Sequence, residues 1–197
     1  MKLMIASKNK HKIKEIRELL EIEGLEILSA LDFPDIPDVV EDKTTIEGNA
    51  IKKAREIADF TGLLTMADDT GLFVKALQGA PGVYSARYAG EDAIDSDNRI
   101  KLLNALQNVD ERQAYFQTVI ALADPQNLIG TVDGRVEGEI TREEMGSTGF
   151  GYDAIFRAAE TGKTFGQMAG AAKNKISHRG RALRNFIPLI KSVLVEK

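Results

Sequence analysis

Apolar positions recur along this chain with two periods, and the switches between them mark out its elements. The run Leu3–Ala6 predicts a short buried strand over 2–6, ended by the polar "SKNK". Ile13, Ile16 and Leu20 then recur at helical spacing with charges between them, which predicts a helix over 10–23. A second strand is expected at 25–29, and the Pro- and Asp-rich "DFPDIPDVVED" reads as a loop. From about Thr45 to Phe60, Ala50, Ala54, Ile57 and Ala58 line one side of a helix, and Asn49 and Lys53, four apart, share a face. Gly62 ends that helix, and an apolar strand leads to the acidic pair Asp68–Asp69, where Thr70 and Gly71 suit a tight turn.

Beyond the Gly/Pro-punctuated "QGAPGVYSARYAG", residues 96–106 predict another amphipathic helix. "AYFQTVIALAD", "LIGTVDG" and "VEGEIT" read as three consecutive antiparallel strands separated by Gly/Pro turns. "GSTGFGYD" is a glycine loop, "AIF" a short strand, and a last helix runs from about Ser177 to Val195, with Pro188 placed to kink it. No repeat, low-complexity tract or flexible linker interrupts the order. The α/β alternation followed by a β-rich stretch and a helix points to an α/β protein on a mixed sheet, with two lobes and a cleft between them.

The 197 residues, 43% of them hydrophobic, suffice for one sizeable core, or one core with a second lobe. A net charge of −4 argues against a protein that coats nucleic acid or anionic membrane, while leaving room for a local basic pocket. With no cysteine, disulfides and thiolate metal sites are impossible. The apolar run Leu3–Ala6 is too short for a signal peptide, and none approaches the roughly 20 residues of a spanning helix, so a cytoplasmic protein is expected.

Four polar clusters carry candidate chemistry. A lone acidic pair is usually a solvated turn, but strand ends of open α/β sheets are where ligands bind, and adjacent carboxylates suit a hard cation and an activated water. At the strand-to-helix junction "SKNKHK", Ser7, Asn9 and the first helical N–H groups suit an anion, with Lys8, Lys10 or Lys12 adding charge; a solvated helix start is the competing reading. "GFGYD" is either a plain turn or a platform on which a ring stacks on Phe150 while Asp153 reads polar edges. In "KNKISHRGRA", Lys173, Ser177, His178, Arg179 and Arg181 set cations near a helix start, against the helix dipole, which makes more sense facing phosphate or a carbonyl-bearing base than as a solvated face. Glu41 and Glu47 are the further carboxylates near Lys53.

Together these clusters resemble the inosine triphosphate pyrophosphatase family, also called non-canonical purine NTP pyrophosphatases or XTP/dITP diphosphatases. "ASKNKHKIKEI", "TTIEGNAIKKA", "ADDTGL", "GAPGVYSARYAG", "GFGYDAIF", "KTFGQM" and "KNKISHRGRAL" appear in the family's order and rough spacing along nearly the whole chain. The resemblance implies one ITPase-like domain over 1–197: an elongated, two-lobed α/β protein on a long mixed β-sheet flanked by helices, with the active-site cleft between the lobes, and a homodimer. It implies hydrolysis of ITP, dITP and XTP to monophosphate and pyrophosphate, assisted by Mg2+, with neither nucleic acid nor membrane as partner.

On the same resemblance Asp69, supported by Asp68, is catalytic, and Glu41 and Asp69 hold metal. Ser7, Lys8, Asn9, Lys10, His11, Lys12, Lys53 and Thr70 bind the substrate's phosphate side. Phe150, Gly151, Tyr152, Asp153, Lys173, His178 and Arg179 bind its base. A 6-oxo purine accepts from such donors, whereas a 6-amino group leaves them unpaired. Three positions and one stretch depart from the family's pattern: Thr70 replaces Ser, Gly48 stands where Glu is common, Ala154 replaces Pro, and "AGAAKN" lacks the usual acids.

Overall fold

The computed structural model describes residues 1–195; Glu196 and Lys197, the last two of the expected 1–197 domain, lie outside the described residues. The elements in order are β1 (Lys2–Ile5), α1 (Lys10–Leu19), β2 (Glu26–Ser29), α2 (Ile46–Thr61), β3 (Leu64–Val74), β4 (Pro81–Gly82), α3 (Asp95–Ala105), β5 (Gln113–Ala123), β6 (Leu128–Ile140), β7 (Phe156–Ala158), α4 (Gly170–Ile176) and α5 (His178–Val195). The strands form one sheet ordered β2-β1-β3-β5-β6-β7, with β4 on β3. β1 runs parallel to β2 and β3, whereas β3–β4 and β6–β7 are antiparallel, so the sheet is mixed, as expected.

The helix limits follow local chemistry. Asn9 caps α1, its Oδ1 accepting from the His11 and Lys12 N–H groups. Thr45 caps α2 through Gly48 N–H, and Gly62 ends it in the left-handed conformation at φ +67°, where a Cβ is unfavourable. α1 stops at Leu19, short of residue 23, because Gly24 at φ +75° turns the chain back into β2. Pro188 lies inside α5, and α4 is a short helix that the periodicity did not reveal.

Two strand expectations are corrected. β3 does not stop at the acidic pair but continues to Val74, because β4 pairs with Leu72 and Phe73. The strand that ends there is β1, whose register on β3 finishes at Ile5↔Met66. "LIGTVDG" and "VEGEIT" are a single strand, β6, not two. Its glycines do not turn the chain. At Gly138 a side chain would meet the Arg157 carbonyl and the Phe156 ring of β7, so glycine there permits close approach.

The chain divides into two compact units, and β3, β5 and β6 contribute residues to both. The first comprises Met1–Asp69, Thr118–Gly134 and the chain from Arg179; the second comprises Thr70–Gln117 and Arg135–His178. In the first, Leu3, Ile5, Leu64 and Met66 pack on one face with Ile13 and Ile16 of α1 and Leu183 and Phe186 of α5. Met4, on the opposite face of β1, packs with Ile57 of α2 and Ala30. In the second, Leu72, Val74, Leu102, Phe116, Val136, Ile140, Phe156 and Phe165 form the core. No helix among the described residues is long and apolar enough to cross a membrane.

Candidate active site

Successive side chains of a strand point to opposite faces. Leu64 and Met66 face α1 and α5, so Asp68 does too, and Asp69 faces α2. Both carboxylates are buried. The Asp68 Oδ2 lies 3.2 Å from Lys12 Nζ and 3.0 Å from Arg179 Nη2. Arg179, itself 2% exposed, also donates to Glu15 at 2.5 Å. On the other face Lys53 Nζ donates to Glu41 at 2.6 Å, to the Asp68 carbonyl at 2.9 Å and to Asp69 Oδ1 at 3.3 Å. Beyond β1's last pairing, the backbone acceptor at Asp68 is thus satisfied by an ammonium group. Three cations and four carboxylates share this part of the first unit.

The two aspartates are driven apart electrostatically. Burial pushes the Asp68 carboxyl up, but Lys12, Arg179 and Lys53 outweigh it and hold the group well below the usual carboxylate range. Asp69 goes the other way: burial, with Glu41 and Asp68 nearby, raises it in spite of Lys53 and Lys12. Burial alone would lower Lys53, yet Asp69, Glu41 and Asp68 together raise it, so it stays an ammonium. Asp68 Oδ1 and Asp69 Oδ2 are buried without a hydrogen-bond partner in the structure. Such oxygens fit a cation or a water that the substrate brings. Among the described residues, no three carboxylates or histidines converge as a ready-made metal cage.

The other residues expected on the phosphate side are dispersed. Ser7 Oγ accepts from Asn9 N–H, and Asn9 itself caps α1, so these side chains order the helix start that presents Lys12. Lys8 pairs with Asp38 at 2.6 Å, and Lys10 and His11 are exposed on α1. Thr70 is half-buried on β3. Of the two glutamates, Glu41 reaches Lys53, whereas Glu47 accepts from Thr131 at 2.9 Å. Asn49 accepts from Lys43 N–H at 2.9 Å, tethering the segment that carries Glu41. Glu15 was missed by the sequence reading. Its signal was the three-residue spacing from Lys12, which puts both on one face of α1.

In the second unit, Gly149 (φ +82°) and Gly151 (φ +60°) shape the turn that carries Phe150. Asp153 Oδ2 accepts from Phe150 N–H at 2.9 Å and from Lys173 Nζ at 2.7 Å. Lys173 Nζ sits 4.9 Å from the Phe150 ring centroid. His178 is 4% exposed and stacks on Phe116 with centroids 4.5 Å apart. Tyr152 is a core residue: its hydroxyl donates to the Ser85 carbonyl at 2.8 Å. Phe150, Asp153 and Lys173 are thus brought together, and Gly151 continues the same turn.

Comparison with known proteins gives a concordant result. The Ham1 family model matches residues 3–189. A dITP/XTP pyrophosphatase of Desulforamulus reducens is 47% identical over 199 residues, covering 100% of this chain and 99% of its own. One from Geobacter sulfurreducens is 48% identical over 184 residues, 92% of each chain. The structure of a HAM1 protein from Coxiella burnetii matches with a TM-score of 0.88 at 40% identity, covering 100% of both chains. The family model, full-length relatives and a shared fold agree with the motif order read from the sequence: this chain belongs to the Ham1 family.

Proposed function

We propose that this chain is a hydrolase that converts non-canonical purine nucleoside triphosphates (ITP, dITP and XTP) to the monophosphate and pyrophosphate, clearing them from the nucleotide pool. The observation that carries the reading is the pair of neighbouring aspartates held in opposite ionisation environments beside Lys12, Lys53 and Arg179. Cleavage between the α- and β-phosphates needs charge neutralisation and a positioned water. Lys12 and Lys53 supply cationic charge to phosphate oxygens. Asp69, with Oδ2 unengaged, orients the attacking water and takes its proton. Asp68 remains an anion and holds Lys12 and Arg179 in place. Glu41 and Asp69 would hold Mg2+, which when bound neutralises phosphate charge.

In this reading the base belongs to Phe150, Asp153, Lys173 and His178, whose donors suit a 6-oxo group and leave adenine's amino group unmatched. The family names of the full-length relatives support the same substrate class. The cytoplasm is the compartment a pool-cleansing activity requires, and a homodimer is the expected assembly. The test is pyrophosphate release from dITP, XTP, dGTP, dATP and dUTP at equal concentration, with Mg2+ and with EDTA. Strong Mg2+-dependent release from dITP and XTP alone is expected. Release from dUTP, or from none of the five, overturns the base assignment or the catalytic assignment respectively.

A further inference from the structure

The turn that carries Phe150 is gripped from outside by a helix that none of the recognition motifs includes. Asp95 and Arg99, one turn apart on α3, share a face. Asp95 Oδ2 accepts from Gly151 N–H at 2.6 Å, and Arg99 Nη1 donates to the Gly151 carbonyl at 2.8 Å. Arg99 Nε is in turn held by Glu144 at 2.6 Å. Both polar backbone groups of one glycine are therefore bound by charged side chains of α3.

That glycine directly follows Phe150. The Gly151 N–H belongs to the peptide after Phe150 Cα, so Asp95 fixes the chain on that side, while Asp153 fixes the Phe150 N–H on the other. A turn with two glycines at positive φ is intrinsically mobile, and each such tie removes backbone freedom. The same helix braces a second loop. Asn98, 2% exposed, accepts from Ala89 N–H at 2.7 Å and donates to the Ala86 carbonyl at 3.0 Å.

We infer that Asp95 and Arg99 are positioning residues for base recognition: they hold the peptides on either side of Gly151 so that the Phe150 ring is presented in one orientation to the purine. The inference rests on the proposed function, since it assigns these residues to the base-selective end of that substrate. Neither side chain needs to touch the nucleotide. Loss of either clamp lets the ring sample other orientations, which weakens base binding and blurs discrimination while leaving the phosphate chemistry intact.

The experiment is to measure kcat and KM for dITP and dGTP, with thermal melting, for the unaltered protein and for Asp95→Ala, Arg99→Ala and the conservative Asp95→Asn. Each alanine variant should raise KM for dITP about three- to tenfold, the scale of one charge-assisted hydrogen bond. kcat should stay within about twofold, and the dITP-over-dGTP preference should shrink by a similar factor. Asp95→Asn, which retains an acceptor oxygen, should recover most of the loss. A purely structural role would lower kcat for both substrates in step with melting temperature and leave KM and the preference unchanged, and that result overturns the inference. If the alanine variants do not fold, Arg99→Met, which keeps the aliphatic stem and removes the donors, carries the test: a KM rise in the same direction is expected, and unchanged KM overturns the inference. An unaltered protein that turns over neither dITP nor XTP instead defeats the functional reading, and this inference with it.

Discussion

Asp68 and Asp69 are neighbours in sequence, yet the pleat sends one toward α1 and α5 and the other toward α2, so each meets a different set of charges. Asp68 Oδ2 is held by Lys12 and Arg179, whereas Oδ1 has no hydrogen-bond partner. Asp68→Ala leaves these buried cations without that partner and should cost about 3–5 kcal/mol in urea unfolding, the scale for breaking a buried ion pair. Asp69 holds a single 3.3 Å contact to Lys53 and a carboxyl raised by burial. Asp69→Asn should cut pyrophosphate release from dITP by about 100-fold or more, the scale of a lost general base. It should leave the unfolding midpoint at pH 7 equal or higher, because the folded state no longer has to bury an ionised group there. A lower midpoint would make Asp69 a structural anion. The type of each aspartate was legible in "ADDTGL", but its titration was not, since Lys12, Lys53 and Arg179 lie far apart along the chain.

At the scale of elements, glycine explains most of the differences between pattern and fold. Gly62 and Gly149 adopt positive φ and do turn the chain, whereas Gly138 sits in extended β6 against the Phe156 ring and the Arg157 carbonyl. Gly134, which ends "LIGTVDG", likewise lies inside β6, and a turn reading treats it as a break, so one strand looks like two. Gly138→Ala should destabilise the protein by about 1–3 kcal/mol through overpacking, measured by denaturant unfolding. The glycine loop is tied to the core through Tyr152, whose hydroxyl bonds the Ser85 carbonyl; Ser85 Oγ in turn accepts from Leu72 N–H at 2.8 Å on β3. Burial raises the Tyr152 phenol above the usual tyrosine range. The neutral form is the folded one, so this stabilisation is complete below the unfolded value near pH 10 and is lost as pH rises toward the folded value. Tyr152→Phe should cost about 1 kcal/mol at pH 8 and flatten the fall in stability above about pH 10.

For the whole molecule, the Ham1 family assignment and the proposed pyrophosphatase activity set further expectations. EDTA should abolish turnover while leaving the thermal melt nearly unchanged, because no preformed metal cage exists among the described residues for the fold to depend on. Light scattering on the purified chain should return twice the 21.6 kDa protomer mass if the expected homodimer forms. The sequence by itself determined the α/β class, the helices α1, α2 and α5, the glycine turn around Phe150 and the motif order that places the chain in its family. These depend on local periodicity, caps and short motifs, which a linear reading contains. Only the tertiary structure decided that β3 runs through the acidic pair, that Glu41 rather than Glu47 meets Lys53, and that Glu15 backs Arg179. It also decided that Asp95 and Arg99 grip Gly151. Each of those facts joins residues distant in sequence, and their pairing is set by strand register and by which face of a helix meets which face of the sheet.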